Sequence, residues 1–295
     1  MPTLRTLTLA VALCGLLAHG AQAADTPVRV LASLPITYGL GQILLKDSGV
    51  ELQRAAAANL PGSRQNAYFT GRGAEALQGL ASKADAVIGL RSLWPEDSLY
   101  PLARRSNIRI VEIDAARPVD GVLPGIALQP GQGGLNSQPW LSSNNMGRMA
   151  DVLAADLVRL APTAKPRIES NLAALKQQLL KLSADSEMQL ARADNVSVVS
   201  LSDRFGYLAA GLNLETVSTE VRTDDQWTPE ALEALTATLK DNEVALVLDH
   251  RQPPEAVKAA IISGGSRLLV LETDGDDPLA ELRGNIAAVL QGLGS

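Results

Sequence analysis

The sequence predicts an α/β protein with two lobes, each a four-stranded, mainly parallel sheet with flanking helices, joined by one long rigid helix. Short β-branched runs alternate with segments of helical hydrophobic period, which is the pattern of parallel strands connected by helices. Each half of the chain contains four such runs, so each half has enough elements to form a sheet. The stretch 166–193 between the halves contains no glycine, and its only proline stands at the start, where a helix tolerates it.

The individual strands and helices are taken from these runs in chain order. In the first half, strands are predicted at 28–34, 50–55, 84–90 and 108–113, and helices at 36–46, 74–83 and 96–105. In the second half, strands are predicted at 196–201, 215–221, 244–249 and 268–271, and helices at 204–212, 229–240, 254–262 and 278–290. Each of the last three predicted helices begins with a proline, a residue that suits the first helical turn.

The segment between the halves has an apolar side at helical spacing. Its members are Leu172, Leu175, Leu179, Leu182 and Met188. A helix of about 28 residues spans about 42 Å at about 1.5 Å per residue, which is enough to reach both lobes. We therefore expect an N-terminal lobe at 24–162, a connecting helix at 163–193 and a C-terminal lobe at 194–295.

The N-terminus has the parts of a secretory signal peptide. Arg5 supplies the positive charge, residues 7–18 form an apolar run, and Ala21-Gln22-Ala23 is a small-x-small cleavage pattern. The run is shorter than the ~20 residues that cross a bilayer. We expect residues 1–23 to be a signal peptide that is cleaved between Ala23 and Ala24, with export to the periplasm.

The composition of the mature chain excludes several classes of function. Cys14 and His19 lie in the signal peptide, so the mature chain has no cysteine and a single histidine, His250. The full chain has 26 basic and 32 acidic residues. Removal of Arg5 with the signal peptide leaves the mature chain with a net charge of −7. The chain has no basic patch with interleaved aromatics, so we expect no nucleic-acid partner. It also has no nucleophile elbow, phosphate loop or Cys–His arrangement, so we expect no enzyme.

Four motifs in a fixed order carry a resemblance to one family. They are Gln65-Asn66-Ala67-Tyr68 before the Ala84-Asp85 strand start, Asn136-Ser137-Gln138-Pro139-Trp140-Leu141 opening a helix, Ser202-Asp203-Arg204-Phe205-Gly206-Tyr207 after a strand, and Thr273-Asp274 after the last strand. With them the chain resembles the zinc and manganese substrate-binding proteins of bacterial ABC importers (the ZnuA/TroA-like group, cluster A-I), over almost the whole mature chain. The resemblance implies two lobes around a metal-binding cleft, and an ABC transporter permease in the inner membrane as partner.

The resemblance also locates the positions at which the family binds its metal. Asn66, Gln138 and Ser202 stand where the family has histidines, whereas Asp274 matches the family's aspartate. Amide and hydroxyl oxygens are weak ligands for zinc, so the family's own site for a bare ion is not expected here.

We therefore predict that the cleft binds a metal chelate of the siderophore type, with no other cofactor. The predicted cleft residues are Asn66, Tyr68, Gln138, Trp140, Ser202, Arg204, Arg251 and Asp274. Arginines suit a polar, partly anionic ligand and aromatic rings offer flat surfaces for stacking. Further arginines and a tryptophan lie near these motifs in the sequence, namely Arg64, Arg72, Arg91 and Trp94.

Two alternatives stay open from the sequence. A bare divalent ion (zinc, manganese or iron) needs a rearranged site, for which the candidates are Asp203, His250 and Asp274. A ligand-free accessory protein that pairs with a second periplasmic binding protein would also keep the scaffold motifs and lose the metal ligands.

Overall fold

Eight short strands form two sheets in the computed structural model, which describes residues 27–118, 123–129 and 134–294. The first sheet contains β1 (Arg29–Ala32), β2 (Glu51–Arg54), β3 (Ala86–Gly89) and β4 (Val111–Asp114), in the order β2-β1-β3-β4. The second contains β5 (Ser197–Ser200), β6 (Glu215–Thr219), β7 (Leu246–Asp249) and β8 (Arg267–Val270), in the order β6-β5-β7-β8. Every strand pair is parallel, which confirms the predicted two-lobed α/β fold. The predicted signal peptide lies outside the described residues.

The helices connect and cover these strands. The N-terminal lobe has α1 (Pro35–Leu45), α2 (Gly62–Thr70), α3 (Ala74–Ala81), α4 (Leu99–Ser106) and α5 (Ser143–Leu160). The connecting helix is α6 (Lys165–Leu190), and the C-terminal lobe has α7 (Gly206–Gly211), α8 (Pro229–Asp241), α9 (Glu255–Ser263) and α10 (Pro278–Leu293). Helix α2 has no counterpart among the predicted helices, and α5 is the helix that the Trp140 motif opens.

Local sequence fixes where several of these elements begin. The central strands β3 and β7 are buried along their whole length, as expected for apolar strands of a parallel sheet with helices on both faces. Helix α8 starts at a Thr228 cap whose hydroxyl accepts from the Ala231 N–H, and α10 starts at an Asp277 cap that accepts from the Ala280 N–H. Both helices have proline in the first turn, as predicted.

The connecting helix has 26 residues and confirms the predicted long connector. It buries Ile168, Leu175 and Leu179, but Met188 is 57% exposed, so the prediction that Met188 belongs to its apolar side is wrong. Ser186 is the buried residue of that turn. Met188 follows it by two residues and therefore points about 200° away around the helix axis, toward solvent.

The largest apolar cluster continues from one lobe to the other. It includes Leu40 of α1, Met149 of α5, Leu175 of α6, Leu246 of β7 and Ile286 of α10. Two smaller clusters lie apart from it, one in each lobe. The lobes are therefore packed together by a shared core as well as by the connecting helix. Across the described ranges, no helix combines the length and the apolar character that spanning a membrane requires.

Candidate ligand-binding cleft

A cavity of about 630 Å³ lies between the lobes, where the strands of both sheets end. From the first sheet, Leu34 follows β1, Asn59 follows β2 and Trp94 follows β3. From the second sheet, Asp203 follows β5 and Asp274 follows β8. Ligand sites of parallel α/β sheets form at the carboxyl ends of strands, so this cavity is the candidate binding site.

The wall from the N-terminal lobe is apolar and aromatic. Its lining residues include the rings of Trp94 and Trp140 together with Leu34, Leu60 and Leu135, and its polar members carry no charge. Trp140 is 3% exposed, so its ring belongs to the packed core as much as to the cavity. Flat apolar surface of this kind suits an organic ligand.

The wall from the C-terminal lobe carries all the charged groups among the described lining residues. They are Asp203, Arg204, Asp274 and Glu281. Arg204 Nη1 donates to Asp274 Oδ2 at 2.5 Å and to Thr273 Oγ1 at 3.0 Å. The guanidinium therefore neutralises the charge of Asp274.

Gln138 connects the two walls. Its Nε2 donates to Asp274 Oδ1 at 3.2 Å, so both carboxylate oxygens of Asp274 are bound by protein groups. Gln138 is 1% exposed, and its Oε1 has no hydrogen-bond partner. Its backbone has φ 43°, between two short 3₁₀ turns, and a left-handed conformation costs a residue other than glycine about 1–2 kcal/mol.

Glu281 of α10 lines the same wall, and sequence reasoning missed it. Burial raises the pKa of Glu281 to about 7. The Gly275 N–H, which donates to Oε2 at 2.6 Å, opposes this effect because it stabilises the charged form and lowers the pKa. The nearby carboxylates of Asp274 and Glu272 raise this pKa further. In the sequence Glu281 is an ordinary first-turn acidic residue of a helix, so no local pattern marks it as part of a site.

A second polar contact joins the lobes beside the cavity. Arg54, at the end of β2, forms two hydrogen bonds of 2.6 Å to Asp276 in the segment between β8 and α10. The guanidinium also lies 4.5 Å from the centre of the Tyr38 ring. Helix α1 approaches the same segment at Gly39, where an added Cβ would lie 2.4 Å from the Asp276 carbonyl oxygen. This close approach leaves no room for a side chain at Gly39.

Four predicted cleft residues do not line the cavity. Asn66 is exposed on α2, and Tyr68 packs against Phe69 and Arg72. Ser202 is buried in its loop, where its Oγ accepts from the Arg204 N–H. Arg251 is the fourth, and its guanidinium pairs with Asp224 at 2.7 Å. His250, which is a candidate only for a rearranged metal site, is absent from the lining as well.

The misplacement of Asn66 and Tyr68 has a local cause. The turn that enters the cleft comes earlier, at Asn59 and Ser63, because α2 begins at Gly62 and carries the predicted motif away on its surface. Of the other arginines near the motifs, Arg91 pairs with Glu112 at 3.1 Å. Arg204 is therefore the single basic side chain among the described residues that line the cavity.

The structure does not bring Asp203, His250 and Asp274 together as a metal site. Within the described residues, no group of three histidine, cysteine or carboxylate side chains is arranged to hold a metal ion. Burial and the charge of Arg204 lower the pKa of His250, whose Nδ1 lies 3.2 Å from Asp249 Oδ1 but without hydrogen-bond geometry. The charged neighbours of the imidazole include Arg204 and Asp249, and neither contact brings His250 to Asp274.

Comparisons with known proteins agree with this architecture. The model of the family "zinc-uptake complex component A periplasmic" matches residues 68–282. A structure of a ZnuA shares 19% identity over 90% of this chain and 99% of its own, with a TM-score of 0.66. An FpvC mutant from Pseudomonas aeruginosa shares 20% identity over 90% and 99%, with a TM-score of 0.71. The metal-dependent lipoprotein YcdH from Bacillus subtilis shares 17% identity over 90% and 99%, with a TM-score of 0.68. A search of curated protein sequences finds no significant match.

Proposed function

Because the chain belongs to the family of periplasmic zinc-uptake components, we propose that it is the periplasmic solute-binding protein of a metal-acquisition ABC transport system and that its solute is a metal chelate of the siderophore type. Members of this family are substrate-binding transport proteins, not enzymes, and they work with ABC transporter permeases. Membership of the family does not determine three parts of the proposal, which are the chelate, the cleft that holds it and the export signal.

The observation that carries the proposal is the Arg204–Asp274 pair. Asp274 is the only one of the family's four ligand positions that keeps its residue type, and its two oxygens are bound by Arg204 and Gln138. A bare ion at this position has to displace a guanidinium and would then find neutral oxygens at the other positions. The guanidinium that occupies Asp274 therefore disfavours a bare divalent cation at this position.

The size and the lining of the cavity support an organic ligand. About 630 Å³ is within the range of about 300–1,000 Å³ for small-molecule pockets, whereas a bare ion needs only a few donors at ~2 Å. The wall with Trp94 and Trp140 offers apolar surface, and a chelate brings its own metal ligands. A chelate thus fits both the family's role in metal uptake and the replaced histidines.

Native mass spectrometry with elemental analysis tests the proposal. The protein is expressed with its own signal in iron-limited cells and isolated from the periplasm without added chelators. We expect a ferric chelate adduct of defined mass. Near-stoichiometric bare zinc, manganese or iron would refute the chelate and favour the rearranged site. A complex with a second periplasmic protein, with no adduct, would favour the accessory alternative.

Tryptophan fluorescence localises the ligand. The chain has three tryptophans, of which Trp94 and Trp140 line the cavity and Trp227 lies in the C-terminal lobe beneath Arg222. Ferric chelates quench nearby indoles, so we expect Trp94→Phe and Trp140→Phe to remove most of the quenching. Trp227→Phe is the matched control, and it should leave the quenching unchanged.

A further inference from the structure

We propose that Trp94 selects ligands that carry an aromatic ring, and that Asp97 is the positioning residue that holds the indole at the cavity. The inference rests on the proposed function and deepens it, since it names the chemical class of the group that the chelate presents to the N-terminal lobe. The charged groups of the opposite wall play no part in it.

Trp94 is the more accessible of the two indoles that line the cavity. It is half-buried, whereas Trp140 is 3% exposed and belongs to the packed core. The neighbouring lining residues Leu34 and Leu135 are aliphatic. A Cβ added at Gly62 would lie 3.6 Å from Cη2 of Trp94 and 2.6 Å from Cδ2 of Leu135, so the start of α2 closes this corner of the cavity. The corner therefore suits an apolar group of the ligand.

The loop that carries Trp94 is held by a buried carboxyl group. Asp97 is 2% exposed, and its two oxygens accept from the backbone N–H groups of Leu90 and Leu99, at 2.9 and 3.2 Å. The Trp94 N–H donates to the Leu90 carbonyl at 2.7 Å, and the Trp94 carbonyl accepts from the Asp97 N–H at 3.0 Å. Gly89 makes room for this arrangement, because an added Cβ would lie 2.8 Å from Asp97 Oδ2. The backbone of Trp94 is thus bound on both sides.

A second carboxyl group binds the same loop from the neighbouring strand. Asp114, the last residue of β4, is 8% exposed and accepts from the N–H and the hydroxyl of Ser92 at 2.7 and 2.8 Å. Burial raises the pKa of Asp97, and the charge of Asp114 adds to this rise. A carboxyl whose pKa is higher in the folded chain than in the unfolded one lowers stability once it ionises. Stability alone therefore does not explain Asp97, whereas a loop fixed at a cleft is typical of a binding site.

A fixed indole suits an interaction that depends on direction. Hydrophobic burial is not directional, so a wall that only excludes water needs no such fixing. Two aromatic rings prefer offset-stacked or edge-to-face arrangements, and a pair of this kind strengthens an interaction about 2- to 10-fold beyond the burial of its area. The fixed loop therefore favours an aromatic ring over a saturated ring at Trp94.

A pair of uncharged fragments tests the selection without knowledge of the whole ligand. N-methylbenzamide and N-methylcyclohexanecarboxamide differ only in whether the ring is aromatic, and both are titrated to about 50 mM. Saturation transfer from the protein to the fragment measures affinity, and the indole N–H signal of Trp94, identified by its loss in Trp94→Leu, locates the binding. We expect the aromatic fragment to shift this signal and to bind about 2- to 10-fold more tightly. Equal affinities, tighter binding of the saturated ring or no shift of the Trp94 signal would overturn the selection, since burial of apolar area alone favours the more apolar saturated ring.

Variants then assign the roles of the two residues. Trp94→Leu stays apolar but has no ring, so it should bind both fragments with equal affinity. Asp97→Asn presents an amide N–H to one of the two backbone donors, so it should reduce the preference to less than about 2-fold and broaden the Trp94 signal.

Asp249→Asn is the matched control for Asp97→Asn. Asp249 is 3% exposed and also accepts from two backbone N–H groups, those of His250 and Arg251, but it is not among the described residues that line the cavity. The control should keep the preference of the wild type, whatever its stability. A full preference in Asp97→Asn, or an equal loss in Asp249→Asn, would overturn the positioning role.

A matched pair of chelates joins the selection to the proposed function. The gallium(III) complexes with three benzohydroxamates or three cyclohexanecarbohydroxamates are uncharged and share one coordination core, and diamagnetic gallium stands in for iron. We expect the aromatic complex to bind about 2- to 10-fold more tightly to the wild type, and the difference to disappear in Trp94→Leu. Equal binding of both complexes to the wild type would support a chelate-binding protein and overturn the aromatic selection. Binding of the aromatic fragment but of neither complex would count against the chelate and leave the selection at Trp94 standing.

Discussion

Replacement of Glu281 by glutamine should stabilise the protein at high pH and leave it unchanged at low pH. The pKa of Glu281 is raised from 4.5 to about 7 in the folded protein, mainly by burial. A carboxyl whose pKa is higher in the folded chain holds its proton more tightly there, so its contribution to stability is complete below about pH 4.5. This contribution is lost as pH rises to about 7, and the loss reaches about 3 kcal/mol because each pKa unit corresponds to about 1.36 kcal/mol. Glutamine resembles the protonated form and can still accept from the Gly275 N–H.

Thermal unfolding followed by circular dichroism at about pH 4.5 and about pH 8.5 measures this difference. At about 2–4 °C of Tm per kcal/mol, Glu281→Gln should raise Tm by about 6–12 °C at the higher pH and by almost nothing at the lower pH. Glu233→Gln, at an exposed position of α8, should change Tm by less than about 2 °C at both values. The same offset at both pH values, or a lower Tm of Glu281→Gln at pH 8.5, would refute the linkage.

The other predictions concern the contact between the lobes and the replaced metal ligands. A double-mutant cycle of Arg54→Ala and Asp276→Ala, measured by urea unfolding, should give a coupling energy of about 1 kcal/mol, and additive effects would show that the bidentate pair is screened by solvent. Gly39→Ala should destabilise the protein by about 2 kcal/mol, because its Cβ would lie 2.4 Å from a backbone oxygen, whereas Gly79→Ala, with no atom within 4 Å, should stabilise α3 by about 0.5–1 kcal/mol. The triple variant Arg204→Ala, Gln138→His and Ser202→His should retain zinc on dialysis, whereas Arg204→Ala alone should not. Elemental analysis measures the zinc content of both, and equal contents would contradict the expectation that the neutral side chains of Gln138 and Ser202 are too weak as zinc ligands.

Most of the fold could be predicted because its signals are local. The strands at 196–201 and 244–249 are apolar runs that become buried, and the prolines of α8 and α10 mark helix starts. Helix α2 escaped prediction because its nine residues are mostly polar and bury only Gln65 and Phe69. The family resemblance implied that Asn66 faces the cleft, whereas the structure places it on the exposed side of α2.

The candidate site could be predicted only in part, and only where a sequence motif marks it. Gln138, Trp140, Arg204 and Asp274 lie in such motifs, and each lines the cavity. Glu281 does not, since it reaches the cavity from the first turn of α10 through its bond with Gly275. The partners of the arginines are also invisible in the sequence, because a pair such as Arg251–Asp224 depends on how loops meet in three dimensions.

The replaced ligand positions are better understood as one connected network than as separate losses. The hydroxyl of Ser202 accepts from the backbone of Arg204, the guanidinium of Arg204 binds Asp274, and the amide of Gln138 binds the other oxygen of Asp274. Ser202, Gln138 and Asp274, which the resemblance matches to three of the family's metal-binding positions, are thus linked through the Arg204 backbone and guanidinium and the Asp274 carboxylate. The Arg204–Asp274 pair is neutral and ordered with no ion present, because a charge-assisted pair is satisfied on both sides. The Gln138 Oε1 is the acceptor that this network leaves without a donor. We therefore expect the network to disfavour a bare ion, because the ion would have to displace Arg204 from Asp274.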